Sequence, residues 1–374
     1  MCVTTKVAYL NEVKNIHICL VTISLAKGGA ERAVANQSRM WHDMGARVTI
    51  VVLNHEIAYP YAGQIWSRDR KKSQKVSFGR WSRFQQLKKF LKTEQPDFVI
   101  DHRPKNNYAK EWLYKKWLYR GLQIIYVTHS AHVPMYMTQW PKYFARLCQS
   151  NWANVGVSQW IEKNVLGSYA MKKTQHIPNG IEPTWTQDHV EASQVAQRPY
   201  LLWYGRLDDS VKDISFLIKA YTQSKAPSLG IDLRIMGQGP DRARLEKKSR
   251  ETDHEACIVF MDFQADPRPI IAGARAVLLT SFFEGFPMVL IEALSLATPV
   301  ISLDINSGPN EIIRDQQNGL LVGQRNSRIF AQAIDCMCLD EDFYQLCRDN
   351  AQDSVRHFSM AQIATQWKAL VTHE

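Results

Sequence analysis

Two carboxylates, Glu284 and Glu292, stand eight positions apart in the stretch Phe283-Glu284-Gly285-Phe286-Pro287-Met288-Val289-Leu290-Ile291-Glu292-Ala293-Leu294. Pro287 suits the first turn of a helix, where its missing N–H would have no partner anyway. Glu284 is then expected just ahead of that helix, beside the free backbone N–H groups of the stretch from Phe286 to Val289. The unpaired N–H groups and the dipole of a helix start attract phosphate or sugar oxygens. Glu292 falls a little over one turn in, on the face of Met288 and Val289. Carboxylates repel phosphate but accept hydrogen bonds from hydroxyls. A sugar nucleotide, with hydroxyls at both ends and phosphates in the middle, satisfies both demands. On spacing alone, an amphipathic helix with a solvated glutamate fits equally well.

Other residues gather at expected strand ends. His129 follows the apolar run 124–128, and ligands of open α/β sheets collect at the carboxyl ends of strands. His132 is close enough to compete for the same role, and a lone loop histidine is more often structural. Gly28 and Gly29 form a turn after the first apolar run. That turn lacks the spacing of a dinucleotide fingerprint, and the next run ends in Leu53-Asn54 without an acidic partner for a ribose. The sole Asp-x-Asp-like run, Asp340-Glu341-Asp342, falls in late helical sequence and reads as a solvated face rather than a metal site.

The elements that must position these groups follow from hydrophobic periodicity. Strands are expected at 16–25, 48–53, 97–101, 123–128 and 154–158, with a helix between Gly29 and Gly45. A second series has strands at 200–204, 232–236, 258–260, 276–279 and 300–304, and helices at 214–223 and 287–297. Helical sequence closes the chain from about 340 to 371. A strand–turn–helix repeat of this kind predicts parallel sheets. At 374 residues and ~150 per domain, two domains are expected. The reading is α/β: an N-terminal Rossmann-like domain over 1–181, a polar linker over 182–199, a C-terminal domain over 200–355 and a final helix over 356–374.

The charge is uneven. From Trp66 to Arg120 there are 16 Lys/Arg against 5 Asp/Glu, leaving 30 against 31 elsewhere, so one segment carries the whole excess of +10. An anionic partner near it is expected. Within it, residues 108–120 read as an interface helix: Ala109, Trp112 and Leu113 on one side, Tyr108 and Trp117 adjacent, and Lys110, Lys115 and Lys116 reaching lipid headgroups. No run approaches the ~20 apolar residues that span a bilayer. The opening residues have no apolar core of a signal peptide. Seven scattered cysteines without a Cys-x-x-Cys favour reduced thiols over a disulfide framework or a zinc site.

The Glu284–Glu292 stretch resembles the Glu-x7-Glu motif of retaining glycosyltransferases of family 4. Further stretches match in order. Gly28-Gly29-Ala30-Glu31-Arg32 resembles the family's glycine loop, and Ile177-Pro178-Asn179-Gly180-Ile181 its interdomain turn. Gly205-Arg206-Leu207 resembles its phosphate loop. Gly237-Gln238-Gly239-Pro240, Gly308-Pro309-Asn310-Glu311 and Asn318-Gly319 are similar to three other turns. The resemblance runs from about residue 16 to 371. It implies the GT-B fold: two Rossmann-like doubly wound domains facing a cleft, with the C-terminal helix returning to the N-domain.

It also implies roles. Glu292 would hold the ribose hydroxyls and Glu284 a hydroxyl of the donor sugar, with Gly285, Phe286, Pro287, Met288 and Val289 lining the donor. Arg206 and Lys212 would neutralise the departing diphosphate, the main expected source of catalysis. Gly28 and Gly29 would lie close to donor phosphates and acceptor, and His129 or His132 near sugar and acceptor. The family usually has Lys five residues after Arg, followed by Gly; here Lys212 comes six after Arg206 and is followed by Asp213. The implied reaction retains anomeric configuration and needs no metal or other cofactor. The implied partners are a nucleotide sugar, with UDP the commonest nucleotide, and a glycan or lipid-linked acceptor of bacterial surface polysaccharide or lipopolysaccharide. The expected location is the cytoplasm, at the inner face of the plasma membrane. Two alternatives stay open: a sugar-nucleotide epimerase of related fold, and a nucleic-acid-binding protein using the basic segment. The sequence has no helix-turn-helix, zinc-finger or RNP signature, so nucleic acid is not expected as a partner.

Overall fold

The computed structural model describes residues 13–26, 28–67, 76–185 and 198–372. The chain divides into two compact units, one of residues up to 157, 161–180 and 360 onward, the other of residues 158–160 and 181–359.

The first unit is built on a seven-stranded parallel sheet. Its strands are β1 (His17–Thr22), β2 (Arg47–Val52), β3 (Gln64–Trp66), β4 (Phe98–Asp101), β5 (Gln123–Thr128), β6 (Ala153–Gly156) and β7 (Thr174–His176), in the order β3-β2-β1-β4-β5-β6-β7. β1 lies between β2 and β4, with Ile18 opposite both Val48 and Phe98. All six residues of β1 are buried, as expected for a parallel sheet covered on both faces. The helix Gly29–Asp43 follows β1 and buries Ala33, Val34, Met40 and Trp41. It stops at Gly45, whose φ of +90° takes the left-handed conformation that ends helices. The helix Met360–Thr372 also belongs to this unit: Trp367 packs edge-on against Trp41, and the Trp152 indole N–H donates to Leu370 O at 2.8 Å.

The second unit holds β8 (Tyr200–Tyr204), β9 (Asp232–Met236), β10 (Ile258–Met261), β11 (Ala276–Leu279), β12 (Val300–Leu303) and β13 (Gly319–Val322). These form a parallel sheet in the order β10-β9-β8-β11-β12-β13. Its core packs Leu201, Trp203, Leu233, Ile235 and Leu278 against Leu217, Phe330 and Met337. In both sheets the strand order reverses beside the first strand of the unit, β1 or β8, the position where doubly wound folds bind ligands.

Most expected strands occur within a residue or two. The edge strands β3, β7 and β13 were not anticipated, and closing helices begin at Ser327, before residue 340. Of the expected linker, 186–197 lies outside the described residues, as do 68–75 of the basic segment and Cys2. The six described cysteines are unpaired thiols. Among the described residues no helix is long and apolar enough to cross a membrane.

Candidate functional site

The second unit brings most of the expected donor residues to one end of its sheet. β8 ends at Tyr204, and Gly205-Arg206-Leu207 turns there. Gly205 N donates to Met236 O and Leu207 N to Gln238 O, both at 3.0 Å. The two loops touch backbone to backbone: Gly237 has φ +148°, and a Cβ on it would meet Gly205 O at 1.9 Å. Glycine is obligatory there. The Arg206 side chain is 65% exposed, and its nearest carboxylate is Asp208 at 4.0 Å. It touches neither Glu284 nor Glu292 in any described contact.

Lys212 and Glu284 do meet. Lys212 Nζ lies 2.5 Å from Glu284 Oε1, which also accepts from Ser281 Oγ at 2.6 Å. Between Arg206 and Lys212 the chain winds a short helical turn, Asp209–Lys212. Asp213 stands where the resemblance expects glycine, and it adopts the left-handed conformation, φ +46°. Two contacts make that tenable. Its carboxylate accepts from Phe216 N at 3.3 Å, capping the next helix, Ile214–Gln223. It also accepts from Arg325 Nη1 at 2.6 Å. Arg325 in turn donates to Thr280 O and Ser281 O, at 3.0 and 2.5 Å, and stacks over Phe282. One guanidinium thus ties the residue after Lys212 to the loop that leads into Glu284. Burial raises the Asp213 carboxyl, against the pull of Arg325. Arg325→Ala is expected to cost about 1–3 kcal/mol in urea unfolding, by orphaning that carboxylate. Asp213→Gly in the same chain should recover most of the loss, because glycine takes φ > 0 freely. Equal stabilities of the single and double variants would show that Arg325 acts elsewhere.

Glu292 sits in the helix Met288–Ser295 and is buried. Its Oε2 accepts from Tyr204 OH at 2.9 Å. The helix starts one residue later than expected. Pro287 occupies the capping position, with φ −73° and ψ 94°, rather than the first turn. Proline has no N–H, so the groups of this turn that can meet an anion are those of Phe286, Met288 and Val289. The turn is braced from behind. Ser307 Oγ donates to Gly285 O at 2.5 Å and lies 2.8 Å from Ser158 Oγ. Gly308 has φ +104°, and a Cβ there would strike Pro287 Cδ at 2.3 Å.

In the first unit, His129 follows β5 directly and is part-buried. Its Nε2 lies 2.8 Å from Nδ1 of His102, a histidine that follows β4 in the same way and that the sequence reading passed over. Burial, and then Lys105, lower the His129 imidazole. His132 is exposed and caps the short helix Val133–Tyr136. Gly28 and Gly29 open the helix Gly29–Asp43. A Cβ on Gly28 would meet only the carboxylate end of Glu31, and one on Gly29 would meet nothing within 4 Å. Internal packing therefore does not demand glycine at either position.

The proposed interface helix is corrected. Residues Tyr108–Leu113 are α-helical, but Tyr114–Leu118 wind as a π-turn. That turn buries Lys115, whose Nζ lies 2.5 Å from Asn151 Oδ1, so it cannot reach headgroups. Trp117 stacks on Trp81 and Phe84, with Lys88 over its ring, so it is tied up in an aromatic cluster. Trp112 remains 49% exposed. It is joined by residues from the neighbouring segment: Trp140 at 54% and Tyr143 at 58%, both ringed around Tyr108.

The comparisons agree with this architecture. Residues 27–185 match the family described as "Glycosyltransferase Family 4", and residues 198–340 match "Glycosyl transferases group 1"; between them they take in most of the chain. An N-acetylgalactosaminyltransferase of Campylobacter jejuni, named for a diphospho-undecaprenol acceptor, is 30% identical over 44% of this chain and 44% of its own length. A lipopolysaccharide 1,6-galactosyltransferase of Escherichia coli is 30% identical over 45% of this chain and 47% of its own length. The chain thus spans about half the length of these curated relatives. Anabaena HepE, solved with UDP, superposes with a TM-score of 0.75 at 17% identity, covering 96% of this chain and 100% of HepE. Two parallel sheets of this topology, each half matched in sequence to the corresponding glycosyltransferase domain, make this chain a GT-B protein of glycosyltransferase family 4.

Proposed function

We propose that the protein transfers a hexose or N-acetylhexosamine from a nucleotide sugar, a UDP-sugar in our reading, to a glycan or lipid-linked acceptor, with retention of anomeric configuration. The observation that carries this is the arrangement at the start of the Met288–Ser295 helix: Glu284 held by Lys212 and Ser281 on one side of the turn, and Glu292 held by Tyr204 on the other. In this reading Glu292 takes the ribose hydroxyls and Glu284 a sugar hydroxyl. The N–H groups between them, with Arg206 and Lys212, take the diphosphate. The bond from the anomeric carbon to the diphosphate oxygen breaks as the acceptor oxygen bonds the same face. The acceptor's proton passes to the departing phosphate, and the two cations carry its growing charge without a metal. Within the first unit, Gly28 and Gly29, unconstrained by packing, leave room for substrate to approach the backbone, and His129 is the functional histidine.

The relatives named for lipopolysaccharide and diphospho-undecaprenol acceptors support a role in bacterial surface-glycan assembly. A thermal-shift screen against UDP-, GDP- and dTDP-sugars tests the donor, since a ligand of the native state raises the melting temperature. NMR of the product then reads the anomeric configuration. Release of an epimerised free sugar from donor alone, with no acceptor glycosylated, would replace transfer by epimerisation.

We also propose peripheral contact with an anionic membrane through the surface around Tyr108. Trp112, Trp140 and Tyr143 are exposed there beside exposed Lys110, Lys142 and Arg146, and no Asp or Glu occurs from residue 112 to 161. Aromatic and basic side chains together suit the bilayer interface. Sedimentation should require anionic vesicles, weaken in high salt and drop when Lys110 and Lys142 become Glu. Equal recovery with neutral and anionic vesicles rules the electrostatic contact out.

A further inference from the structure

His102 and His129 each follow the final residue of neighbouring parallel strands, β4 and β5. Their ring centroids are 5.1 Å apart. Behind His102, on the helix Gly29–Asp43, Gln37 places Oε1 2.8 Å from His102 Nε2. Gln37 and His102 are both buried. A carboxamide oxygen only accepts, so His102 carries its proton on Nε2. The Nδ1 of a neutral imidazole is then bare, and it takes the N–H of His129 Nε2. That leaves Nδ1 of His129 unprotonated, with its lone pair available. Burial, then His129 and Lys105, hold His102 well below the ordinary imidazole range, so both rings are neutral near pH 7.

The turn that carries His102 is pinned with unusual completeness. Lys105 Nζ donates to Asp101 O and Arg103 O, each at 2.8 Å, and to Val127 O at 3.2 Å, tying the residues after β4 to β5. The Asp101 carboxylate accepts from Arg103 N, Nε and Nη2 and from Tyr119 OH, while Arg103 also reaches both oxygens of Glu111. All four charged side chains are essentially inaccessible. A buried ion network contributes little net stability, because desolvation offsets the attraction. Its consequence here is geometric: the backbone on either side of His102 has no freedom to turn the ring away from His129.

We propose that His102 is a positioning residue which, backed by Gln37, fixes the ring and tautomer of His129, so that His129 meets a substrate hydroxyl as a hydrogen-bond acceptor through Nδ1. The proposal rests on the reading of His129 as the functional histidine. It deepens that reading by stating which nitrogen acts and what kind of substrate group it takes.

Long-range 15N NMR of the full chain labelled at histidine tests it directly. His129 should appear as the Nε2–H tautomer. His102→Phe should give a tautomer mixture and a kcat lower by up to about 10²-fold, the scale of a misplaced reacting group. His102→Asn, whose side-chain oxygen accepts in place of Nδ1, should recover both the tautomer and most of the loss. If His102→Phe does not fold, Gln37→Leu, which frees His102 to change tautomer, should shift the His129 signal in the same direction. The Nδ1–H tautomer in the wild type would overturn the proposal, as would equal losses in the Phe and Asn variants with the His129 signal unmoved. An active His129→Ala variant would instead remove the functional reading of His129 and leave the tautomer result standing, so the two failures are distinguishable.

Discussion

Lys212→Ala is expected to lower kcat by about 10²–10³-fold, with a smaller change in donor affinity. Lys212 is half-buried against Glu284, so its field is less screened than that of a surface lysine. In the proposed reaction the diphosphate gains charge as the glycosidic bond breaks, and a cation that meets that charge stabilises the transition state more than the ground state. Removing the ammonium also leaves Glu284 beside the proposed phosphate site without its counter-ion. Both effects act in the same direction. Lys212→Arg should recover part of the rate, since it keeps the charge but not the compact shape. Arg206→Ala should likewise affect kcat before affinity. Its exposed side chain should make the loss smaller and more sensitive to salt. Unchanged kcat at saturating donor in Lys212→Ala would exclude Lys212 from the chemistry and leave its contact with Glu284 structural.

Glu292→Ala should weaken UDP binding by roughly 10- to 150-fold, corresponding to ~1.5–3 kcal/mol for hydrogen bonds between a charged group and a hydroxyl. Glu292 is buried and accepts from Tyr204, whose hydroxyl also lies 3.1 Å from Val289 O, so its removal costs a buried contact as well, and unfolding curves must accompany the titrations. Tyr204→Phe separates the two effects. It removes the orienting contact but keeps the carboxylate, and should cost less affinity than loss of the carboxylate itself. Calorimetric titration with UDP decides the matter: a Glu292→Ala variant that binds UDP like the wild type, while remaining folded, rules out the ribose contact.

The parts legible in sequence were those dictated by continuous apolar runs. β8 and β11 occupy the positions expected for them, because strands covered on both faces are apolar nearly throughout. The edge strands β3 and β7 were not legible for the converse reason. In β3 and β7, Gln64-Ile65-Trp66 and Thr174-Gln175-His176 are short and half-exposed, so nothing in their periodicity separates them from loop. The pairing of Glu284 and Glu292 around one helix start could be read from spacing. Their immediate partners could not. Tyr204 comes from the end of β8 and Lys212 from the helical turn after it, and only the fold brings them to the two glutamates. Asp213 was visible as a departure from a glycine, but its compensation by Arg325, 112 residues away, was not. His102 did carry a usable signal: like His129, it directly follows an apolar run, and strand-end histidines on neighbouring parallel strands fall side by side. The charge reading failed at Lys115 because a count of lysines does not tell which of them face inward.

The helix Met360–Thr372 has a consequence for how the protein is made. Trp152 in the first sheet finds the carbonyl of its indole N–H only at Leu370, 218 residues later. At ribosomal rates of roughly 5–20 residues per second, that partner emerges on the order of tens of seconds after the tryptophan. The first unit to leave the ribosome is therefore completed after the second, and until then it presents Trp41 and Trp152 without the helix that covers them. Chaperone demand during synthesis should be concentrated on the N-terminal half of the chain. Mutations that loosen the helix around Trp367 should show up first as poor yield of soluble protein, before any loss of activity in the molecules that do mature.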